Sequence, residues 1–176
     1  SYTFGQLLKN AGYATAFAGK WQLGPKTPAH FGFEQYAIRT SHDYWGPKVL
    51  ANGEQRHLAD DVYGPDYYTK FLLQFMEQQK ASDQPFFAYF PTWLTHWPFV
   101  SPPNGEKRDK ETTKNFPKMV EYLDTLVGRI TRHLEKLGIR DQTLILFTTD
   151  NGTARTIESR YRGRTVRGRK GFFVDE

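Results

Sequence analysis

The sequence predicts an α/β fold in which helices flank a mostly parallel central sheet. Two apolar runs, 85–91 and 143–147, are bounded by turn residues, which is typical of strands buried on both faces. Two longer segments, 66–80 and 116–137, repeat apolar residues at helical spacing. Helical and strand-like segments alternate along the chain, and this alternation favours an α/β architecture.

The first elements follow the same order. Residues 4–10 are predicted to form a short helix that Gly12 ends, and 13–18 a small apolar strand closed by Gly19. A helix that passes into a strand through glycine is half of an α/β unit.

The stretch 25–65 has no clear apolar period and is rich in Gly, His, Tyr and Pro, so it is predicted to be a long surface loop. Together with 99–115 it is expected to form the rim of a pocket. Three histidines lie in it without other metal ligands at a suitable spacing, and they are interpreted as solvated: His30, His42 and His57.

Polar side chains follow the predicted strands where each strand ends. They are Lys20 and Gln22 after the first strand, His96 after the second, and Asp150 and Asn151 after the third, with Lys170 further on. Ligands of open α/β sheets bind beyond the carboxyl ends of the strands. Alone, the Asp-Asn-Gly tripeptide is more typical of a turn. Combined with two lysines and a histidine, its oxygens suit a divalent cation in an enzyme that processes an oxyanion ester.

Charge and composition limit the other classes of function. Lys and Arg total 24 against 19 Asp and Glu, and much of the excess lies in 155–170. Such a cluster could bind nucleic acid or line a site for a small anion, but its arginines lack interleaved aromatic residues, which disfavours nucleic acid. The sequence has no cysteine, hence no disulfide. No apolar run approaches the ~18 residues of a membrane span.

Three segments resemble the sulfatase family, which belongs to the alkaline phosphatase-like superfamily. They are 11–24 (AGYATAFAGKWQLG), 95–99 (THWPF) and 144–152 (LILFTTDNG). The resemblance implies an alkaline phosphatase-like sandwich fold and one active-site calcium ion bound by Asp150 and Asn151. It also implies that Lys20 and Lys170 hold the sulfate group, and that His96 faces the leaving-group oxygen.

The sequence departs from the family pattern at several places. Gln22 stands where most sulfatases have a histidine that orients the nucleophile, and Gln cannot exchange a proton near neutral pH. Lys170 is followed by Asp175-Glu176 instead of Glu-Gly-Gly. The family's formylglycine nucleophile arises from a Cys or Ser in a Cys/Ser-x-Pro-x-Arg motif that this chain lacks.

We therefore expect 1–176 to be part of a sulfatase catalytic domain, an internal piece of a longer protein that is inactive alone. The nucleophile-bearing part and the C-terminal subdomain would lie outside it. The resemblance implies a sulfate ester substrate, a carbohydrate sulfate among the options, and a periplasmic or secreted location. Possible sugar platforms are Trp45, Trp93 and Trp97, although core packing is expected for at least one. A phosphodiesterase or phosphonate hydrolase of the same superfamily, and a basic nucleic-acid-binding module, remain as alternatives.

Overall fold

The computed structural model describes residues 2–103 and 111–171. Three helices and seven strands occur in these ranges, together with short 3-10 turns. In chain order they are α1 (Phe4–Asn10), β1 (Ala14–Gly19), β2 (Gln35–Arg39), β3 (Lys48–Ala51), β4 (Glu54–His57), α2 (Gly64–Ala81), β5 (Phe86–Tyr89), α3 (Phe116–Lys136), β6 (Glu158–Tyr161) and β7 (Arg164–Arg167). Asp175, Glu176 and part of the predicted rim, 104–110, lie outside the described residues.

The first five strands form one sheet in the order β4-β3-β2-β1-β5. β1 pairs in parallel with both β2 and β5. β3 is antiparallel to β2, and β4 is antiparallel to β3, so β4 runs in the same direction as β2. Four of the five strands therefore share a direction, which confirms the predicted α/β class with a mostly parallel sheet.

β1 is the central element, and its side chains explain how the two faces of the sheet are covered. Ala14, Ala16 and Ala18 are buried in a cluster with apolar residues of α2. Their small size lets the helix lie close to the sheet, because side-chain volume sets the distance between packed elements. On the other face, Phe17 packs edge-on against Phe33, with ring centroids 5.2 Å apart.

The predicted helices are confirmed, and local chemistry explains where they begin. At the start of α1, the Thr3 hydroxyl accepts a hydrogen bond from the Gln6 amide, and the Gln6 side chain accepts one from the Thr3 amide. This reciprocal pair satisfies two donors at the helix end. α2 begins at Gly64, two residues before the predicted start, because Pro65 in its first turn already has a helical φ. None of the described helices has the length and apolarity needed to cross a membrane.

The prediction of one long loop over 25–65 is wrong, since this stretch contains three strands of the sheet. Asn52 and Gly53, both with positive φ, join β3 to β4 in a two-residue hairpin turn. An Asn-Gly pair is a strong hairpin signal in a sequence. β4 escaped detection because it is wholly exposed and has no apolar alternation.

The prediction of a buried strand over 143–147 is also wrong. This segment has no regular secondary structure, and Leu144, Leu146 and Phe147 are 81%, 82% and 66% exposed. Of its apolar residues, Ile145 packs against the core cluster that contains the alanines of β1. A strand requires hydrogen bonds to a neighbouring strand, and none of the described strands pairs with this segment. Its composition is that of a buried strand, but its backbone has no partner in the described part of the chain.

Candidate active site

The carboxyl ends of three parallel strands, β2, β1 and β5, meet at one edge of the sheet. The register pairs Gly19 with Ile38, so the next residues, Lys20 and Arg39, emerge side by side. The Lys20 amide donates a hydrogen bond to the carbonyl of Pro91, 2.8 Å away, just past β5. The sheet therefore brings a lysine and an arginine to the edge from which the chain continues to His96.

Gly19 makes this junction possible. Its φ is +125°, and a Cβ atom at this position would lie 2.3 Å from the carbonyl oxygen of Pro91. Residues other than glycine rarely adopt such a φ, and the carbonyl leaves no room for a side chain. The distance between β1 and the segment after β5 is therefore set by main-chain contact between Gly19 and Pro91.

Trp93 lies at the centre of the edge and is only 7% exposed. The guanidinium carbon of Arg39 is 3.3 Å from the centroid of its ring, and the Lys20 Nζ is 5.8 Å from it. The His96 ring lies 4.4 Å from Trp93 between centroids. Cations are attracted to the faces of aromatic rings, so Trp93 helps to place Arg39 and Lys20, while its ring also packs against His96 and into the core.

His96 is held in one orientation. Its Nδ1 lies 2.6 Å from the Trp97 carbonyl oxygen. Since a carbonyl can only accept, Nδ1 carries the proton, and Nε2 is the nitrogen left for a ligand. Burial lowers the pKa of His96, and the positive charges of Lys170, Lys20 and Arg39 lower it further, while the bond to Trp97 acts in the opposite direction.

The remaining predicted residues come from an exposed segment, 143–171, which we call the arm. The Lys20 Nζ lies 3.4 Å from Asp150 Oδ2, although the lysine side chain is 19% exposed and the aspartate side chain 70%. The Lys170 amide donates a hydrogen bond to the Thr153 carbonyl, 3.0 Å away. The structure thus brings Lys20, Asp150 and Lys170 to the neighbourhood of His96.

Gln22 and Asn151 are both exposed. Gln22 lines a cavity of about 250 Å³ beside the strand ends. The described residues around this cavity are Lys20, Trp21, Gln22, Arg39, Thr40, Ser41, His42 and Trp93. The segment 25–65, which was predicted to form part of a pocket rim, therefore contributes to this cavity. None of the described residues of 99–115, the other predicted rim segment, lines it.

The donors for a metal ion are right in chemistry but few in number. Asp150 and Asn151 offer a carboxylate and an amide oxygen, which suit calcium, but calcium takes six to eight oxygens. Within residues 2–103 and 111–171, no group of three or more His, Cys, Asp and Glu side chains could hold a metal ion. These two residues fit one side of a calcium site and do not complete it.

Sequence reasoning missed Arg39 and left the role of Trp93 open. Arg39 ends a strand that lay unrecognised in the supposed loop, although the apolar run 36–38 before it was a usable signal. The ring of Trp93 is buried against Arg39 and His96, which confirms the expectation that at least one of the three tryptophans belongs to the core. Trp45 is also packed, 4.8 Å from Tyr63 between ring centroids. Trp97 is 56% exposed.

The edge of the sheet thus gathers three cations around a histidine of lowered pKa, with an acidic residue beside one lysine, and this set of charges is suited to an oxyanion. Residues 2–169 match the sequence profile of the Sulfatase family. The chain belongs to the sulfatase family.

Individual relatives agree with this assignment. The chain is 28% identical over 171 residues to N-acetylgalactosamine-6-sulfatase of Mus musculus, with 85% of the chain and 32% of the relative covered. It is 29% identical over 181 residues to arylsulfatase A of Homo sapiens, with 85% and 35% covered. The chain therefore spans about a third of the length of these relatives.

A solved structure also shows the same fold. It comes from a study of glycosaminoglycan metabolism by Bacteroides thetaiotaomicron and superposes with a TM-score of 0.72. The match covers 88% of this chain and 46% of that one at 19% identity, which supports the alkaline phosphatase-like fold alone.

Proposed function

We propose that the protein containing this chain is a sulfuric ester hydrolase, and that the strand-end site forms part of its active centre. The observation that carries the proposal is the grouping of Lys20 and Lys170 around His96, with Asp150 paired to Lys20, in a chain of the sulfatase family. A sulfate ester carries one negative charge over its three terminal oxygens, and negative charge also develops on the leaving-group oxygen as the S–O bond breaks. Fixed cations that already face this position lower the barrier, because no solvent has to reorganise.

The two lysines have matching roles in this proposal. Lys20 is fixed by its main-chain bond to Pro91, and Lys170 approaches from the arm. Both would hold the sulfate oxygens and offset their charge. Asp150 and Asn151 would bind a calcium ion, which supplies additional positive charge to the sulfate group. The salt bridge from Lys20 to Asp150 would then join the lysine to the metal-binding side of the site.

His96 would act on the leaving-group oxygen through Nε2, the nitrogen that does not bond to Trp97. A lowered pKa makes the protonated imidazole a stronger acid, so proton transfer to a departing alkoxide becomes more favourable. Gln22 would contribute a hydrogen bond and no proton transfer.

The nucleophile and the substrate class belong to the same proposal. We infer that the nucleophile is a formylglycine made from a Cys or Ser beyond these 176 residues, as the family resemblance implies. A carbohydrate sulfate is favoured because one relative is named an N-acetylgalactosamine-6-sulfatase and because Trp97 is exposed beside His96. Exposed aromatic rings pack well against sugar faces. A periplasmic or secreted location remains a prediction of the sequence.

The test is a substrate panel on the intact protein with matched leaving groups. It compares 4-nitrophenyl sulfate with bis(4-nitrophenyl) phosphate and a 4-nitrophenyl phosphonate monoester. We expect the highest kcat/KM for the sulfate, and a loss of about 100-fold or more in the Lys170→Met variant, which removes one fixed charge from the developing transition state.

Lys48→Met is the control, because Lys48 is an exposed lysine of β3, an element outside the site, and this variant should keep wild-type kcat/KM. A preference for either phosphorus ester would instead assign the phosphodiesterase or phosphonate hydrolase alternative. Lys170→Met activity within threefold of wild type would remove the assigned role of Lys170.

A further inference from the structure

We propose that Arg39 binds a second anionic group of the substrate, so that the preferred substrate is a sulfate ester with a carboxylate or another sulfate close to the ester bond. This inference rests on the proposed sulfatase function and extends it to the substrate's charge.

The position of Arg39 is the first argument. It is the last residue of β2 and emerges next to Lys20 in the parallel register. Lys20 lies between the arm and the cavity: its Nζ contacts Asp150 of the arm, and Lys20 lines the cavity together with Arg39. Of the arm residues described, neither Asp150 nor Lys170 lines that cavity. A ligand with its ester between Lys20 and His96 would therefore extend its adjoining part towards Arg39.

The size of the cavity is the second argument. Its volume is about 250 Å³, slightly below the usual range of pockets that hold an entire small ligand. The cavity consequently suits a substituent of a ligand that is anchored beside it. Its walls offer donors from Arg39 and Lys20 and hydroxyls from Thr40 and Ser41, which favours a polar, anionic substituent.

The guanidinium itself is the third argument. The guanidinium carbon of Arg39 lies 3.3 Å from the centroid of the Trp93 ring, so the ring covers one face of the guanidinium. Its Nη1 is buried and has no hydrogen-bond partner among the described residues. The described protein groups thus leave this donor unpaired, and a carboxylate or sulfate is the kind of group that a guanidinium binds through charge-assisted hydrogen bonds. Burial also lowers the pKa of Arg39 despite the opposing influence of Tyr68, Tyr44 and Asp43.

The competing explanation is that Arg39 only packs against Trp93. Two substrates and one substitution separate the explanations. The substrates are 2-sulfooxy-5-nitrobenzoate and its carboxamide, which share ring, ester and size and differ in one charge. The measured quantity is the ratio of their kcat/KM values in the intact protein, and a packing role would not change this ratio.

We expect the wild-type protein to favour the carboxylate, and the Arg39→Met variant to lower the ratio by about tenfold or more, as for the loss of a charge-assisted hydrogen bond. Methionine keeps an apolar side chain against Trp93. The control is Arg56→Met, because Arg56 is an exposed arginine of β4 whose partner is Glu54, and this variant should keep the wild-type ratio.

Arg39→Lys keeps a positive charge but lacks the planar guanidinium, and we expect its ratio of kcat/KM values to lie between those of wild type and Arg39→Met. If circular dichroism shows that Arg39→Met is unfolded, the Arg39→Lys ratio tests the inference in its place. A wild-type ratio in the folded Arg39 variants, or a wild-type protein that does not distinguish the two esters, would overturn this inference and leave the sulfatase proposal intact. A wild-type protein that hydrolyses neither these esters nor the panel above would overturn the proposed function itself.

Discussion

The two halves of the candidate site are constructed differently. Lys20 and Arg39 come from the ends of paired strands and lie over the ring of Trp93, a buried residue of the segment after β5. Asp150 and Lys170 come from the arm, whose main anchors are the buried Ile157 and the partly buried Ile145. The sheet fixes the first half before any ligand arrives. The second half is mostly exposed and has fewer contacts with the core, so we expect the first half to be the more rigid of the two.

Amide hydrogen exchange should show the largest difference between the halves. The Lys20 amide, bonded to Pro91 in the sheet, should exchange at least about 100-fold more slowly than the Lys170 amide, bonded to Thr153 in the arm, because only the first needs the core to open. The Ala14 amide, bonded to Pro85 at the other end of β1, is the control and should be as slow as Lys20. Equal rates for Lys20 and Lys170 would mean that both halves open together.

The second prediction concerns the junction of main chains at Gly19. Gly19→Ala should lower the free energy of unfolding by at least about 1–3 kcal/mol, because the new Cβ atom meets the Pro91 carbonyl at a strained φ. Gly163→Ala is the matched control: Gly163 also has a positive φ, +80°, but has open space around its Cβ position. Denaturant unfolding measures the free energy of unfolding of both variants. An equal loss in the two would show that backbone strain alone causes it and that the contact with the Pro91 carbonyl contributes nothing.

The smallest effect links the two halves through charge. Lys170→Met should raise the pKa of His96, because a neighbouring cation disfavours the imidazolium and its removal favours it. NMR titration of the histidine ring measures this pKa, with Lys48→Met as a control that should leave it unchanged. No change in the pKa would mean that Lys170 in solution lies too far away to affect His96, and a fall would contradict the expected sign of the interaction.

The sequence predicted those elements whose apolar residues recur in a regular local pattern. The long amphipathic helices and the apolar runs beside β1 and β5 were recognisable because periodicity is a local property. The segment 143–147 shows the limit of the method. Its composition is that of a strand, but a strand also needs a partner, and composition does not contain this information.

The candidate site divides in the same way. Lys20, His96 and Asp150 were predicted from residue type and from their position after apolar runs, and the structure places them together. Arg39 was missed because its role depends on register: only the pairing of Gly19 with Ile38 puts it beside Lys20. The Asn52-Gly53 turn could have revealed the hairpin next to β2, and with it the strand that ends at Arg39.

The contact between Gly19 and Pro91 has a consequence for how such a site can diverge. Because main-chain atoms set this spacing, the place of Lys20 does not depend on the side chains of the neighbouring cavity wall. If the proposed function holds, substitutions at Arg39, Thr40 or His42 would change which substituent is accepted while Lys20 stays in place. Substrate preference and reaction chemistry would then be adjustable separately, and new specificities could arise without a change at the reactive end.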